Sequence, residues 1–301
     1  MPQTTQNKVG ILQQNSFGYK FQSTSPSGNA PAANYNLIFK DDLSSGTVGN
    51  SYPGFHTSTV YANDQPFLQG KSLKVNLGAM TPPTCGGAMN YGGRVNLPQA
   101  IPYGSRIWYS IRLFHPDEQT WGYCYDPGDN AEAVGCGKES DGNEWRKFMV
   151  LAPSVGTARI YLEPKSVRRN VNQFPGTRLY SEASQQPYIN PTMAWPLGRW
   201  YTLQMEVLLN DTTGYMRYWV DDQFVGGITA GTVTAGNSIA QWGIGDYWNG
   251  CPYTDGVVGR THFYVKDIMI ATDAPGFTAP TDLDSGGRNY IAPWRRPVDF
   301  T

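Results

Sequence analysis

Apolar and polar residues alternate along much of the chain. Over residues 200–209, Tyr201, Leu203, Met205, Val207 and Leu209 share one face, and Thr202, Gln204 and Glu206 share the other. A period of two marks a strand with one buried face. "NDTTG" then supplies the Asn, Asp and Gly that a tight turn tolerates. A second alternation over residues 215–220 sets Met216, Tyr218 and Val220 against Tyr215, Arg217 and Trp219. The two runs predict a β-hairpin, and "DDQ" turns the chain again. The face that carries Arg217 and Trp219 has two readings: packing on a second sheet, or a ligand-facing surface. Burial of tryptophan is the commoner case and favours the first.

The same pattern recurs upstream and downstream. "SRIWYSIRLFHP", residues 105–116, alternates Ile107, Tyr109, Ile111 and Leu113 against Trp108, Ser110 and Arg112. "EWRKFMVLAP" and "ARIYLEP" read as paired strands, "SIAQWGIGDYW" as a further strand, and "RTHFYVKDIMIATD" as the last one of the core. No amphipathic helix stands out. Two long insertions, residues 117–143 and 164–196, interrupt the series, and long loops in a compact domain usually carry function. Residues 1–34 are polar and read as an extended N-terminal arm; residues 276–301 form a Pro- and Arg-rich C-terminal arm. Many short strands in one unbroken run, residues 35–275, predict an all-β, two-sheet antiparallel β-sandwich of jelly-roll type.

Composition narrows the partners. The chain has 301 residues, a formal net charge of -1 and only 16% charged residues, and no basic patch argues for nucleic acid. No apolar run is long enough to span a bilayer. The first twenty residues carry no apolar signal core. With Met1, this predicts synthesis without a signal, as for a virion surface protein, or an extracellular protein if a signal has been removed. The four cysteines, Cys85, Cys124, Cys136 and Cys251, form no C-x-x-C pair. Three pairings are open to them, as are reduced thiols.

The order of the last strands, "GRWYTLQMEV…GYMRYWVDDQFV…QWGIGDYW…THFYVKDIMIA", resembles the concanavalin A-like lectin/glucanase superfamily. It is most similar to the branch of laminin-G-like modules and jelly-roll polysaccharide lyases. There a Trp strand leads to a hairpin ending "W-x-D-G-x-x-V", followed by a "G-I-Y"-like strand and a final "Y-x-D-D-I-x-I" strand. The counterparts here are Trp200, Trp219-Val220-Asp221, Gly243-Ile244 and residues 263–270. The resemblance implies a concanavalin-like sandwich. By analogy with virion proteins of this fold, the arms imply a virus or phage structural protein: a capsid or tail decoration, or a host-glycan attachment protein. It would be an oligomer or assembly component meeting other virion subunits through its arms.

Catalysis by such a fold needs specific residues. A glucanase needs paired carboxylates on one strand, and no E-x-D-x-E pattern exists here. The alternative function is a polysaccharide lyase that cleaves a uronic-acid polymer by β-elimination, with a base, an acid and a group that neutralises the carboxylate. Where the lyases carry "Q-I-H", this chain has Lys147-Phe148-Met149, and the tyrosine of "Y-F-K-A-G-x-Y" is displaced by two positions in Gln241 to Tyr247. The surviving variant uses Lys147 as base, Tyr247 or Tyr253 as acid, and Arg112 or Arg146 on the carboxylate. His56, His115 and His262 are expected to be structural. Asp41, Asp42 and Asp267 match acidic positions where such modules hold structural Ca²⁺, and Asp126, Asp129 and Asn130 offer further oxygens; turn formation is the simpler role for all six.

The leading expectation is non-enzymatic glycan binding. Flat aromatics stack on sugars, and amides or Arg reach hydroxyls. Trp121, Tyr123, Tyr125, Trp145, Trp242, Tyr247, Trp248 and Tyr253 supply the rings; Asn143, Gln241, Asn249 and Arg260 supply the polar groups. Trp248 and Tyr253 are expected to be exposed, and Trp200 and Trp219 to be buried between the sheets. Protein interfaces favour the same residue types, so an assembly-facing role competes.

Overall fold

A computed structural model describes residues 13–15, 18–20, 35–76, 92–116, 146–156, 158–164, 177–190, 193, 196–248 and 262–291. For residues 13–15, 18–20, 146, 164 and 246–248 it describes the backbone course alone. Among the described residues the regular structure is entirely β, with eighteen strands numbered in chain order. One sheet has six strands in the order β11 (Gln186–Asn190), β10 (Thr177–Ser181), β9 (Ile160–Pro164), β8 (Arg146–Pro153), β15 (Ile239–Trp248) and β6 (Gly93–Ile101). The other has eight: β14 (Gln223–Thr229), β13 (Tyr215–Val220), β12 (Trp200–Leu208), β7 (Arg106–Phe114), β16 (His262–Thr272), β5 (Ser72–Asn76) and β4 (Thr59–Ala62) in a row, with β3 (Phe39–Asp41) paired to β16. Two small antiparallel pairs complete the set, β1 (Gln13–Asn15) with β2 (Gly18–Lys20), and β17 (Thr281–Leu283) with β18 (Asn289–Ile291). The large sheets are antiparallel throughout, and the molecule is the two-sheet β-sandwich expected from the alternation.

The core is built from the faces that the alternation marks. Ile107, Tyr109, Ile111 and Leu113 of β7, with Tyr201, Leu203, Met205 and Val207 of β12, meet Met149 and Leu151 of β8, Ile160 and Leu162 of β9, and Leu179 of β10. Two positions pin the sheets to each other. Tyr109, fully buried, donates its hydroxyl across the core to the Gly243 carbonyl at 3.1 Å. Next to that carbonyl, the Trp242 ring packs among Phe39, Tyr52, Phe55 and Tyr109. The predicted hairpin is β12–β13, with Met205 opposite Tyr218 and Glu206 opposite Arg217. Its continuation turns through Asp221 and Asp222, both at positive φ (47° and 69°), the backbone of a tight hairpin turn. Asp221 stabilises this turn by accepting the Thr202 amide at 2.9 Å and the Arg199 guanidinium at 2.6 Å.

Trp219 and Trp200 are not between the two large sheets. Both lie on the outer face of the eight-stranded sheet, because the inward positions of β12 and β13 are taken by the aliphatic set. Trp219 is nonetheless buried: it stacks under Tyr290 of β18 (centroids 6.3 Å, 21° between planes) and meets Phe224 edge-on. Its indole N–H donates to Asp284 at 3.1 Å. Trp200 is half-buried beside Phe114 and Tyr264. Residues 279–291, within the stretch read as a C-terminal arm, lie on this face: Ile291 packs on Trp108, Met269 and Ala271, and its amide donates to Gln204. Thr202, Gln204 and Glu206, polar on the strand, are also buried on this face. Burial pushes Glu206 above the usual carboxylate range, although Tyr215 donates to it at 2.8 Å and Arg217 lies 3.6 Å away.

Removing the cover should expose this face. Tyr290→Ala deletes the ring stacked on Trp219 and is expected to cost about 2–4 kcal/mol. Denaturant unfolding measures it, with a red shift of tryptophan emission in the folded variant. Unchanged stability and emission would mean that β18 does not belong to the folding unit.

Candidate functional site

The outer face of the six-stranded sheet has a different character. The inward set on β9 and β10 is Ile160, Leu162 and Leu179, so alternation places Tyr161 and Glu163 with Arg178 and Tyr180 on the far side. The register sets Tyr161 opposite Tyr180 and Glu163 opposite Arg178. The two tyrosine rings touch, with centroids 5.4 Å apart, and the Arg178 guanidinium lies over the Tyr180 ring and ion-pairs with Glu163. Lys147 reaches the same face, with its ammonium 5.2 Å from the Tyr161 ring and paired with Glu182. Glu182 also accepts the Arg159 amide at 2.8 Å and its guanidinium at 3.3 Å. Burial alone would raise the Glu182 pKa; these hydrogen bonds outweigh it and hold the carboxyl below the usual range. Among the described charged residues of this face, four cations (Arg94, Lys147, Arg159, Arg178) stand against two carboxylates (Glu163, Glu182).

Towards β6 the face becomes accessible. Arg94 and Asn96 are exposed at alternate positions of that strand. On the adjoining strand Gln241 joins them: Arg94 donates to its carbonyl oxygen at 3.4 Å, and its amide donates to Asn96 at 2.8 Å. A bulge aims Gln241 outward. The register of β15 shifts between Ile239 and Gln241 against both neighbours, β6 and β8. One extra residue inverts the alternation, so Ile239, Trp242 and Ile244 all enter the core. Gly243 follows on the outer side. A Cβ there would sit 2.3 Å from the Gly93 carbonyl and 2.8 Å from Cγ of Arg94, so glycine is what lets the two strands and the arginine stem meet.

The expected site residues divide accordingly. Gln241 is on this face. Trp242, expected among the ligand-facing rings, is fully buried, because the bulge turns it inward. Lys147 and Tyr247 are cross-strand neighbours, as are Arg146 and Trp248, but the side chains of Arg146, Tyr247 and Trp248 lie outside the described residues. Also outside are Trp121, Tyr123, Tyr125, Asn143, Trp145, Asn249, Tyr253 and Arg260, the loop acids Asp126, Asp129 and Asn130, and all four cysteines. Arg112 is not with Lys147. It projects from β7 of the other sheet, between the inward Ile111 and Leu113, and pairs with Asp267 at 3.0 Å. The lyase set that joins Lys147 to Arg112 is therefore not assembled, and the Lys147 ammonium is engaged by Glu182. Arg94, Asn96, Tyr161, Glu163, Arg178 and Tyr180 escaped the sequence reading. The alternation of exposed polar residues in "GRVNLP" was the available signal for the first two.

The three candidate calcium ligands are each committed to protein donors. Asp41 accepts the Leu43 amide at 2.6 Å and the Tyr52 hydroxyl at 2.9 Å, Asp42 accepts the Ser44 amide at 2.8 Å, and Asp267 accepts Arg112. Among the described residues, no group of three or more His, Cys, Asp or Glu side chains is arranged to hold a metal ion. His115 is a core residue, fully buried among Phe148, Tyr201 and Phe263, with its Nδ1 2.8 Å from the Tyr201 hydroxyl.

No family model matches the chain, and no curated protein matches it in sequence. Solved structures are similar to it at low identity. Endo-β-1,4-glucuronan lyase from the fungus Trichoderma reesei matches 82% of this chain and 98% of its own, at 15% identity and a TM-score of 0.46. Domain 4 of AbnA, an extracellular arabinanase from Geobacillus stearothermophilus solved with arabinotriose, matches 78% and 92% at 17% identity and 0.41. Endo-1,3-β-glucanase from Streptomyces sioyaensis matches 83% and 100% at 14% identity and 0.40. The virion role expected from the arms has no support among these three.

His115 yields a pH prediction. Burial lowers its pKa to about 3, against about 6.5 in an unfolded chain. Between these values the unfolded chain binds a proton that the folded one does not. Its contribution to stability is thus complete above pH of about 6.5 and is lost as the pH falls towards 3. The loss from pH 7 to 5 is expected to be about 2 kcal/mol. Denaturant unfolding at the two pH values tests this against His115→Gln, whose pH slope should be shallower by that amount; equal slopes would contradict it.

Proposed function

We propose that the chain is a carbohydrate-binding β-sandwich that holds a glycan along the outer face of its six-stranded sheet. The observation that carries this reading is the accessible row Arg94–Gln241–Asn96; Lys147, Tyr161 and Arg178 on the neighbouring strands are buried and stiffen the sheet beside it. Planar guanidinium and amide groups on adjacent strands match the in-plane donors and acceptors of sugar hydroxyls and carboxylates. They stand on strands rather than loops, and their mutual hydrogen bonds fix their orientation before a ligand arrives, which lowers the ordering cost of binding. The exposed guanidinium of Arg94 in this row favours a glycan that bears acid groups.

Affinity electrophoresis tests the proposal with polyglucuronate and alginate as acidic probes and laminarin as a neutral one. The acidic polymers are expected to retard the protein, and the retardation should weaken as salt is raised, because exposed charges are screened. Arg94→Ala and Gln241→Ala should each weaken binding by about tenfold, the scale of one lost hydrogen bond to a charged or buried group, with little change in Tm. Retardation that is the same in both variants as in the wild type, or absent with both acidic polymers, would sink the reading.

A further inference from the structure

The opposite side of the molecule carries a second feature. Phe67 is 84% exposed, the most exposed of the large apolar side chains among the described residues. It sits at φ 64°, and the Leu68 amide donates to the Pro66 carbonyl at 2.9 Å across it. Phe67 is thus the central residue of a three-residue turn of the positive-φ kind, a rare and strained conformation for a residue with a side chain. Such strain persists only where the surroundings impose it. Here they do. Gln65, nearly buried, donates to the Leu68 carbonyl at 3.3 Å and to that of Gly70, and accepts from Ser72 at 3.1 Å. Trp200 donates its indole N–H to the Pro66 carbonyl at 2.6 Å.

The pinned turn sets the Phe67 ring beside other rings. Its centroid is 6.1 Å from that of Phe114, which in turn meets Trp200 at 5.7 Å and Tyr264 at 6.2 Å. The charged groups around this cluster are engaged by partners within the chain. Lys74 pairs with Asp64 at 2.7 Å, Arg112 with Asp267 at 3.0 Å and Arg199 with Asp221 at 2.6 Å. Lys266 donates to the Lys71 carbonyl at the base of the turn. The site therefore offers an ionic ligand little, in contrast to the cationic face of the other sheet. Its size is also decisive. One exposed phenyl ring presents about 150–200 Å², far below the ~800 Å² that each partner of a stable protein pair buries.

We propose that Phe67 and the half-buried Trp200 form a second carbohydrate site, which takes one or two uncharged pyranose units on the outer face of the eight-stranded sheet. The C–H face of a pyranose carries the partial positive charge that the face of an aromatic ring attracts, and a ring held rigidly in place loses little entropy on contact. This site does not rest on the acidic-glycan reading of the six-stranded sheet, and the two fail separately.

The test uses cellohexaose and laminarihexaose as neutral probes, followed by saturation-transfer NMR and calorimetry on the full chain. Wild type is expected to bind at least one of them. Phe67→Gly should weaken that binding by at least tenfold, while Phe67→Trp and Arg94→Ala retain it. Glycine adopts positive φ without strain, so Phe67→Gly should melt no lower than the wild type, or about 2 °C higher. A merely structural ring would show the reverse, and a drop in Tm of several degrees in Phe67→Gly would overturn the proposal. So would failure of the wild type to bind either sugar, or equal binding by Phe67→Gly. Sedimentation supplies the last arm: self-association of the wild type that Phe67→Gly abolishes, without sugar binding, would assign the ring to a second copy of the chain and reject the carbohydrate.

Discussion

The placement of β15, and with it the accessible row of the six-stranded sheet, depends on one contact through the core. The Tyr109 hydroxyl, fixed on a central strand of one sheet, reaches the Gly243 carbonyl on the strand next to the β6 edge of the other. A buried hydrogen bond of this kind contributes only about 1 kcal/mol net, but leaving either group unpaired costs more, so it selects a single placement of β15. With Trp242 wedged beside it among four other rings, the strand cannot slip by one residue without turning a tryptophan to water and Gln241 into the core. The bulge at Ala240 reconciles the inward Ile239 with the inward Trp242, and the outward place of Gln241 follows.

The two outer faces of the sandwich have opposite fates. On the eight-stranded sheet, the returning residues 279–291 cover Trp108 and Trp219; the Ile291 amide donates to the Gln204 side-chain oxygen, and Asp284 accepts the Trp219 indole N–H. Burial pushes Asp284 upwards, but bonds from the Arg288 and Gly286 amides and the Trp219 indole outweigh it and hold its carboxyl below the usual range. This closure is structural, and the Phe67 turn lies on the same sheet near its β4–β5 edge, beside Phe114 and Tyr264. On the six-stranded sheet, charged and aromatic side chains pair with one another along the strands, and the row at β6 and β15 stays accessible. A β-sandwich has two such faces to assign, and here one serves stability in large part while the other keeps its polar groups oriented.

Much of the fold was legible in the alternation. The faces of β7 and the β12–β13 hairpin, and the existence of the β8–β9 pair and of β16, follow from the alternation, which reports burial directly, although a bulge between Lys266 and Met269 changes the phase of β16. Three things were not legible, each for a physical reason. The bulge in β15 adds a single residue, and "SIAQWGIGDYW" reads as an unbroken strand in either phase, so Trp242 looked like a surface ring. Gln204 looks solvated on its strand, yet it is buried and bonded by Ile291, 87 residues later; local pattern carries no information about distant cover. The candidate face draws Arg94, Gln241, Lys147, Tyr161 and Arg178 from five strands dispersed over 148 positions (94 to 241, inclusive). Only the pairing order brings them together, and pairing order is not encoded in the period of any one strand.

The central claim is that the row on β6 and β15 contacts the ligand. Arginine footprinting measures it most directly. Phenylglyoxal modifies exposed guanidinium groups, and peptide mass spectrometry reads each site with and without saturating glucuronate oligosaccharide. The account predicts that bound glycan protects Arg94, while Arg106 and Arg288, ion-paired on the other sheet, react at unchanged rates. Modification of Arg94 at the same rate in the demonstrably bound and free protein would contradict it.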